Sequence, residues 1–284
     1  MSVLLIDTFS LFFRSFHALP PMTTLAGEPT GALYGFSALL LKLLREQKPK
    51  GVAFAVDRPE PTFRHESYGE YKAGRAPLPS PLVQQLRKLD TLLEAFGFPR
   101  FSARGFEADD VLATLAAQIA EPVRIATGDR DMLQLVDERV QVVFLGQRGK
   151  PPKLYDEAAV QERFGIPPSR LPLYSALVGD SSDNIPKVKG IGPAAAQKLA
   201  SEFPTIDALL AGEIANTRLR TLIHDHADQL RASELLITLR RDVPLTGELY
   251  APLTTESAQR THALFEALEF KSLIPRLEAL VGRD

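Results

Sequence analysis

Residues 105–129 read GFEADDVLATLAAQIAEPVRIATGD, and two periodicities meet in this one stretch. Leu112, Leu115 and Ile119 recur at helical spacing, so the pattern predicts an amphipathic helix over 108–119. Past Pro122 it changes to an apolar run, VRIATGD (123–129), which reads as a buried strand that stops at an aspartate. A helix leading directly into a short buried strand is the repeating unit of an α/β fold.

Three further runs have the same strand character: VLLID (3–7), GVAFAVD (51–57) and VQVVFLG (140–146). The first two also end at aspartate. Between them lie helical patterns, with Leu33, Phe36, Leu40 and Leu44 on one face of 31–46 and Leu82, Leu86, Leu89 and Leu93 on one face of 81–96. Strands alternating with helices predict a mainly parallel central sheet flanked by helices. From about residue 156 the strand signal disappears, and short helices are expected at 156–164, 171–178, 193–202, 205–211, 215–223, 227–239, 257–268 and 271–280. The expected organisation is an α/β part over 1–165 and a helical part over 166–284.

The chain has 284 residues, 45% hydrophobic and 24% charged, which is enough for a sizeable core of ordinary composition. It has no cysteine, which excludes disulfides, thiolate metal sites and a cysteine nucleophile. No basic segment precedes the first apolar run, and Asp7 interrupts it, so no secretory signal is read. The longest apolar stretch, LYGFSALLLKLL, is too short to span a bilayer and carries Lys42. A cytoplasmic protein with no membrane partner is expected. The net charge of −2 does not by itself suggest a nucleic-acid partner.

The placement of the acids changes that reading. In open α/β sheets the ligand site lies beyond the carboxyl ends of the strands. Asp7, Asp57 and Asp129 stand at such ends, Asp131 follows closely, and Glu107, Asp109 and Asp110 open the helix that leads to the third strand. Asp180 and Asp183 belong to GDSSDNIP (179–186), a structured turn by composition. Taken singly, each has an ordinary explanation: acids complement the positive end of a helix dipole, and aspartate is a common turn residue. Nine acids converging on one rim would repel one another unless cations sat among them. Two divalent ions about 3.5–4 Å apart are the usual clamp for in-line displacement at phosphorus. Setting those nine aside turns the remaining balance positive, which suits a polyanion held by its phosphates.

Residues 64–80, RHESYGEYKAGRAPLPS, interleave Tyr68 and Tyr71 with Arg64, Lys72 and Arg75. That mixture suits single-stranded nucleic acid, by stacking and backbone neutralisation, and equally suits a solvated charged loop. Arg14 and His17 follow the first strand closely enough to face the rim. In VKGIGPAAAQKLASEF (188–203) a G-x-G is present, but no strand precedes it and Pro186 breaks the approach, so a dinucleotide fingerprint is rejected. The stretch reads as two helices joined by a tight glycine turn. Its N–H groups at Gly190 and Gly192, flanked by Lys187, Lys189 and Lys198, could hold a phosphate, and an ordinary helical hairpin is the alternative.

These residues carry a family likeness. The chain resembles the 5′ nuclease (flap endonuclease) family, most of all the 5′–3′ exonuclease domain of bacterial DNA polymerase I. The matching stretches are LLID (4–7), FRHESYGEYKAGRAP (63–77), GFEADDVLATLA (105–116), TGDRDMLQL (127–135), GDSSDNIPKVKGIG (179–192) and LEFKSL (268–273). The resemblance implies a PIN-like fold and a structure-selective nuclease. It would use two Mg²⁺ ions, with Mn²⁺ able to substitute, to cut DNA with a 5′ single-stranded arm, flap or nick. RNA primer strands are a further implied substrate.

The resemblance also assigns residues. One ion would be held by Asp7, Asp57, Glu107, Asp109 and Asp110, the other by Asp129, Asp131, Asp180 and Asp183. Lys72 and Arg75 would act catalytically on the scissile phosphate. A helical arch over about 64–85 would pass the 5′ strand, with Arg64, Tyr71, Lys72 and Arg75 as DNA contacts beside Arg14. The glycine hairpin, over about 185–203, would be a helix–hairpin–helix motif on the duplex backbone, with Lys187, Lys189, Gly190, Gly192 and Lys198 as contacts and a K⁺ at the turn. A monomer is implied, acting in DNA replication and repair near the nucleoid. Thr8 departs from the small residue more usual after the first aspartate. Two competitors stay open: a PIN-like metal-dependent ribonuclease, and a non-catalytic DNA-binding module that uses the hairpin alone.

Overall fold

The computed structural model describes residues 1–146 and 151–281. Residues 147–150 and 282–284, which the expected 1–165 and 166–284 divisions include, lie outside the described residues. The chain runs β1 (Val3–Asp7), α1 (Thr8–Ala18), α2 (Gly31–Gln47), β2 (Gly51–Ala55), α3 (Phe63–Ser67), α4 (Ser80–Phe96), β3 (Arg100–Phe101), α5 (Ala108–Gln118) and β4 (Val123–Thr127). A 3₁₀ turn (Asp131–Leu135), β5 (Val140–Phe144) and β6 (Lys153–Tyr155) follow. The rest is helical: α6 (Glu157–Phe164), a 3₁₀ turn (Pro168–Arg170), α7 (Leu171–Val178), α8 (Pro193–Glu202), α9 (Ile206–Ala211), α10 (Thr217–Asp225), α11 (Ala227–Ile237), α12 (Thr255–Ala267) and α13 (Ile274–Val281).

The six strands lie in the order β3-β2-β1-β4-β5-β6. All neighbours pair in parallel except β5 and β6, which are antiparallel. β1 is central and fully buried, with Val3 opposite both Gly51 and Val123. Its side chains alternate between two cores, as a pleated strand requires. Val3 and Leu5 face a core shared with α5, α7, α8 and α11. Leu4 and Ile6 face a core shared with α1, α2, α4, α12 and α13. The helical part therefore does not gather on one side. After α11 the chain crosses the edge of the sheet, where Ala251 pairs with Val52, and α12 packs on α4 on the opposite face.

Three expectations need adjustment. The helix α1 is not among the expected elements, although Phe9, Phe12, Phe13 and Phe16 recur at i, i+3, i+4 and i+7 and so share one face. Asp7 starts it, by accepting the Ser10 N–H. The helical arch expected over about 64–85 is not formed as a helix: α3 ends at Ser67, turns run to Gly74, and extended chain leads to α4. Gly69, Gly74, Pro77 and Pro79 explain this, since they favour turns and deny backbone donors. Finally, the first helix of the glycine hairpin is α7, which lies before the expected 185–203, and a long turn over 179–192 joins it to α8.

Candidate active site

The sheet order reverses at β1, between β2 on one side and β4 on the other, and such a reversal opens a crevice at the strands' carboxyl ends. Asp7 ends β1 there. It is 5% exposed and accepts hydrogen bonds from Ser10 N at 3.1 Å and Thr127 Oγ1 at 2.6 Å. Burial still pushes its carboxyl up to about 7, and the charges of Asp57 and Asp129 add to the effect. Asp57, just beyond β2, accepts the Ala108 N–H at 2.8 Å and so ties the start of α5 to the rim. Burial raises its pKa, with the Glu107 charge contributing.

Asp109, on the first turn of α5, is held well above its ordinary pKa by loss of solvation and then by Asp129 and Asp7. Asp129 opens onto the cleft and accepts the Asp131 N–H at 2.8 Å, yet the protein behind it leaves its carboxyl poorly solvated and raised. Asp131 is raised well above the usual range by desolvation, then by Asp129, Asp180 and Asp183. Five carboxyls shifted upward by burial and mutual repulsion mark a site where negative charge has been concentrated against its own preference.

The counter-charges come from the turn after α3. Lys72 takes a left-handed backbone, φ 55°, and its N–H donates to the Asp183 carbonyl. Its Nζ lies 2.8 Å from Glu107 Oε1 and 3.7 Å from Asp183 Oδ2. Burial alone would lower the Lys72 pKa, but Glu107 and Asp183 outweigh it and the pKa is raised. Arg75 reaches Asp183 Oδ1 at 2.7 Å with its side chain largely exposed. The Tyr71 hydroxyl lies 3.0 Å from both Glu107 and Asp183, bridging the acids of α5 to those of the turn after α7. In that turn Asp180 accepts from the backbone and hydroxyl of Ser182, both at 2.7 Å. The turn needs Gly179: at φ 72°, a Cβ there would stand 2.6 Å from the Lys187 nitrogen.

Three residues do not sit where the sequence places them. Asp110 is fully buried against Arg64, which it shares with Glu107, whose Oε2 lies 3.4 Å from Arg64 Nη1. The Asp110 oxygens meet Arg64 Nη1 at 2.6 Å and Nη2 at 2.9 Å, and they also accept the N–H groups of Arg240 and Glu107. Arg64 is 1% exposed and is committed to that pair, so neither its guanidinium nor the Asp110 carboxylate is on the surface. Tyr71 is 3% exposed, and its ring is packed edge-on to His65 rather than open to a base. The remaining eight acids do belong to the rim or its turn. Arg14 and His17 line a cleft of about 700 Å³ with Asp129, Asp131 and Asp180, where Arg14 donates to the Gly146 carbonyl. Lys187, Lys189, Gly190, Gly192 and Lys198 are exposed on the hairpin, outside the cleft. Sequence reasoning missed Thr127 and Ser10, which hold Asp7, and Gln134 and Arg240, which brace the acids from behind. Thr127 had a signal, since it directly precedes the GD that ends the strand.

The donors at the rim are all oxygens and mostly carboxylates, a set that fits a hard divalent cation. Among the described residues no three acids stand close enough to form a ready-made metal cluster. Repulsion between charges acts well beyond coordination distance, so the raised carboxyls and the open spacing are compatible. Lys72 and Arg75 hold part of the place that cations would neutralise.

Comparison with known proteins agrees with this architecture. Residues 2–165 match the 5′-3′ exonuclease N-terminal resolvase-like domain, and residues 166–261 match the 5′-3′ exonuclease C-terminal SAM fold. The thermostable DNA polymerase I of Thermus aquaticus is 41% identical over 276 residues, covering 96% of this chain and 32% of its own length. The DNA polymerase I of Deinococcus radiodurans is 40% identical over 291 residues, covering 100% of this chain and 30% of its own length. The chain thus spans about a third of the length of the curated relatives it matches. Among solved structures, a bacteriophage T5 flap endonuclease in a complex with DNA and metal ions superposes with a TM-score of 0.70 at 18% identity, covering 99% of each chain. The catalytic core of Rad2 in complex with a DNA substrate gives a TM-score of 0.64 at 16% identity, covering 99% of this chain and 92% of its own.

The fold is thus a PIN-like α/β sheet followed by a SAM-like helical region, the architecture of nucleases. The chain belongs to the 5′-3′ exonuclease family, and it is an enzyme of that nuclease class.

Proposed function

We propose that this chain hydrolyses DNA phosphodiesters where a 5′ single-stranded arm meets a duplex, with Mg²⁺ as its cofactor, leaving 5′-phosphate and 3′-hydroxyl ends. The observation that carries the reading is the rim itself: poorly solvated carboxyls crowded at the β1/β4 reversal and faced by Lys72 and Arg75. Asp7, Asp57, Glu107 and Asp109 would hold one ion, and Asp129, Asp131, Asp180 and Asp183 the other. When bound, such ions supply an activated water and neutralise charge on the leaving oxygen. Asp110 is left out of the ligand set, because Arg64 and two backbone N–H groups already occupy it.

The chain's own residues do the rest. Once Glu107 and Asp183 have another counter-charge, Lys72 and Arg75 are released to hold the scissile phosphate and stabilise its extra negative charge. Tyr71 keeps the two groups of acids in register. Arg14 in the cleft and the exposed lysines 187, 189 and 198 would neutralise backbone phosphates, with Gly190 and Gly192 letting a duplex strand, and a K⁺, approach the turn. RNA primer strands would be a second substrate, held through the same phosphates. The chain would act as a monomer, in replication and repair.

The test is cleavage of a labelled 5′-flap duplex with Mg²⁺ and with chelator. Cutting near the junction that vanishes on chelation is the expected result, and chelator-resistant cutting would overturn the proposal. Faster cutting of an RNA flap than of a DNA flap of the same sequence would favour the ribonuclease alternative.

A further inference from the structure

The two groups of acids ride on separate elements. Glu107 and Asp109 stand at the start of α5, and Asp131 opens the 3₁₀ turn that also carries Gln134. Both elements are hydrogen-bonded from behind to the same stretch of chain, residues 236–240, at and beyond the end of α11. From the α5 side, Arg64 donates through Nε to the Leu236 carbonyl at 2.6 Å and grips Asp110 with both Nη groups, while Asp110 accepts the Arg240 N–H at 2.9 Å. From the 3₁₀ side, the Gln134 amide donates to the Ile237 carbonyl at 3.0 Å and accepts the Leu239 N–H at 3.0 Å. α11 in turn packs on α7, whose C-terminus leads through Gly179 to Asp180 and Asp183.

Residues 236–240 therefore bond to the mounts of Glu107, Asp109 and Asp131, and the helix that leads into them packs on the one that leads to Asp180 and Asp183. Buried polar contacts of this kind fix direction as well as proximity, which apolar packing does not. Gln134 is 8% exposed and bonded at both ends of its amide, so it holds the 3₁₀ turn at a set distance from the strap. Arg64 and Asp110 do the same for α5.

We propose that residues 236–240 are a brace that sets the separation of the two acid groups, with Gln134 and the Arg64–Asp110 pair as positioning residues, and that this separation controls how tightly the rim binds its divalent cations. The inference rests on the metal-dependent reading above. Partners that orient ligands from behind typically change metal affinity or activity by about 10–100-fold when removed.

Gln134→Met tests it, since it keeps the buried volume, adds no charge and removes both amide bonds. Arg64→Lys is the second variant; it preserves the charge opposite Asp110 but cannot make the fork to Asp110 and reach Leu236 together. Mn²⁺ affinity would be measured by calorimetry on the DNA-free chain, and the Mg²⁺ concentration for half-maximal cleavage in single turnovers of the flap duplex. For either variant the brace requires both quantities to weaken by about 10-fold or more, with excess Mg²⁺ restoring the rate and flap binding in chelator unchanged. If folded variants lose thermal stability but keep wild-type Mn²⁺ affinity and Mg²⁺ requirement, the strap is ordinary structure and the inference falls. If instead the unmutated chain cuts without a divalent cation, it is the underlying reading that has failed.

Discussion

Replacing Asp110 by asparagine separates two accounts of this residue that have opposite signs. Were Asp110 part of the crowded rim, neutralising it would relieve repulsion, and the metal-free protein would become more stable. The structure instead buries it completely against Arg64, with contacts at 2.6 and 2.9 Å and two further backbone donors. Asp110→Asn leaves a guanidinium that is 1% exposed with only the longer contact to Glu107 Oε2, at 3.4 Å, as counter-charge. Breaking a buried pair from one side costs about 3–5 kcal/mol, a large share of the roughly 5–15 kcal/mol that holds a domain together. The asparagine also puts an N–H₂ in place of one of the two oxygens, so either the Glu107 N–H or the Arg240 N–H loses its acceptor. Urea unfolding in chelator gives the number directly, and the double change Asp110→Leu with Arg64→Met supplies the control, since removing both partners is far less costly than removing one. A single variant whose unfolding midpoint equals or exceeds the wild type would refute the reasoning.

Stability should also depend on pH in a direction set by Asp7. A carboxyl that titrates at about 7 when folded and at 3.8 when unfolded keeps its proton in the native state, so metal-free stability falls as pH rises across that window. The loss is at most about 4 kcal/mol, and Mg²⁺ should flatten the profile; chelated melting temperatures that rise from pH 4 to 7 would contradict this. Lys72→Met should slow single-turnover cleavage by about 10²–10³ while changing flap binding much less, because the lost charge is needed chiefly as negative charge builds on the phosphate. Rates within a few fold of wild type would remove Lys72 from the mechanism. Gly179→Ala forces a Cβ to 2.6 Å from a backbone nitrogen and 2.8 Å from the Ile185 carbonyl oxygen, at φ 72°. It should lower the urea unfolding stability by about 1–3 kcal/mol or more, and an unchanged midpoint would mean the turn can rearrange freely.

Much of this was legible because strands and their ends obey local rules. VLLID is buried throughout and VRIAT nearly so, which is why they read as continuous apolar runs, and the aspartates at their ends fall on the rim by the direction of the strand alone. The fate of Asp110 was not legible in the same way. Adjacent helical residues point about 100° apart, so Asp109 and Asp110 could not both face the cleft, but their phase was fixed by Arg64, which lies in another segment. Arg64 and Tyr71 read as surface groups because arginine and tyrosine usually are. Here a partner carboxylate 46 positions away draws the arginine in, and acids 36 and 112 positions away draw in the tyrosine. The periodicity of 257–268 gave a helix without saying which face of the sheet it would cover; Phe265 against Phe96 decides that, and it is a long-range contact.

A rim that works as proposed holds divalent cations between its two groups of acids. Anomalous diffraction from a crystal of this chain grown with Mn²⁺ measures that directly. Peaks lying among Asp7, Asp57, Glu107 and Asp109 and among Asp129, Asp131, Asp180 and Asp183, with Lys72 withdrawn from Glu107 and Asp110 still on Arg64, are the expected result. A map with no peak at the rim, and Lys72 still paired with Glu107 in saturating Mn²⁺, would contradict the account.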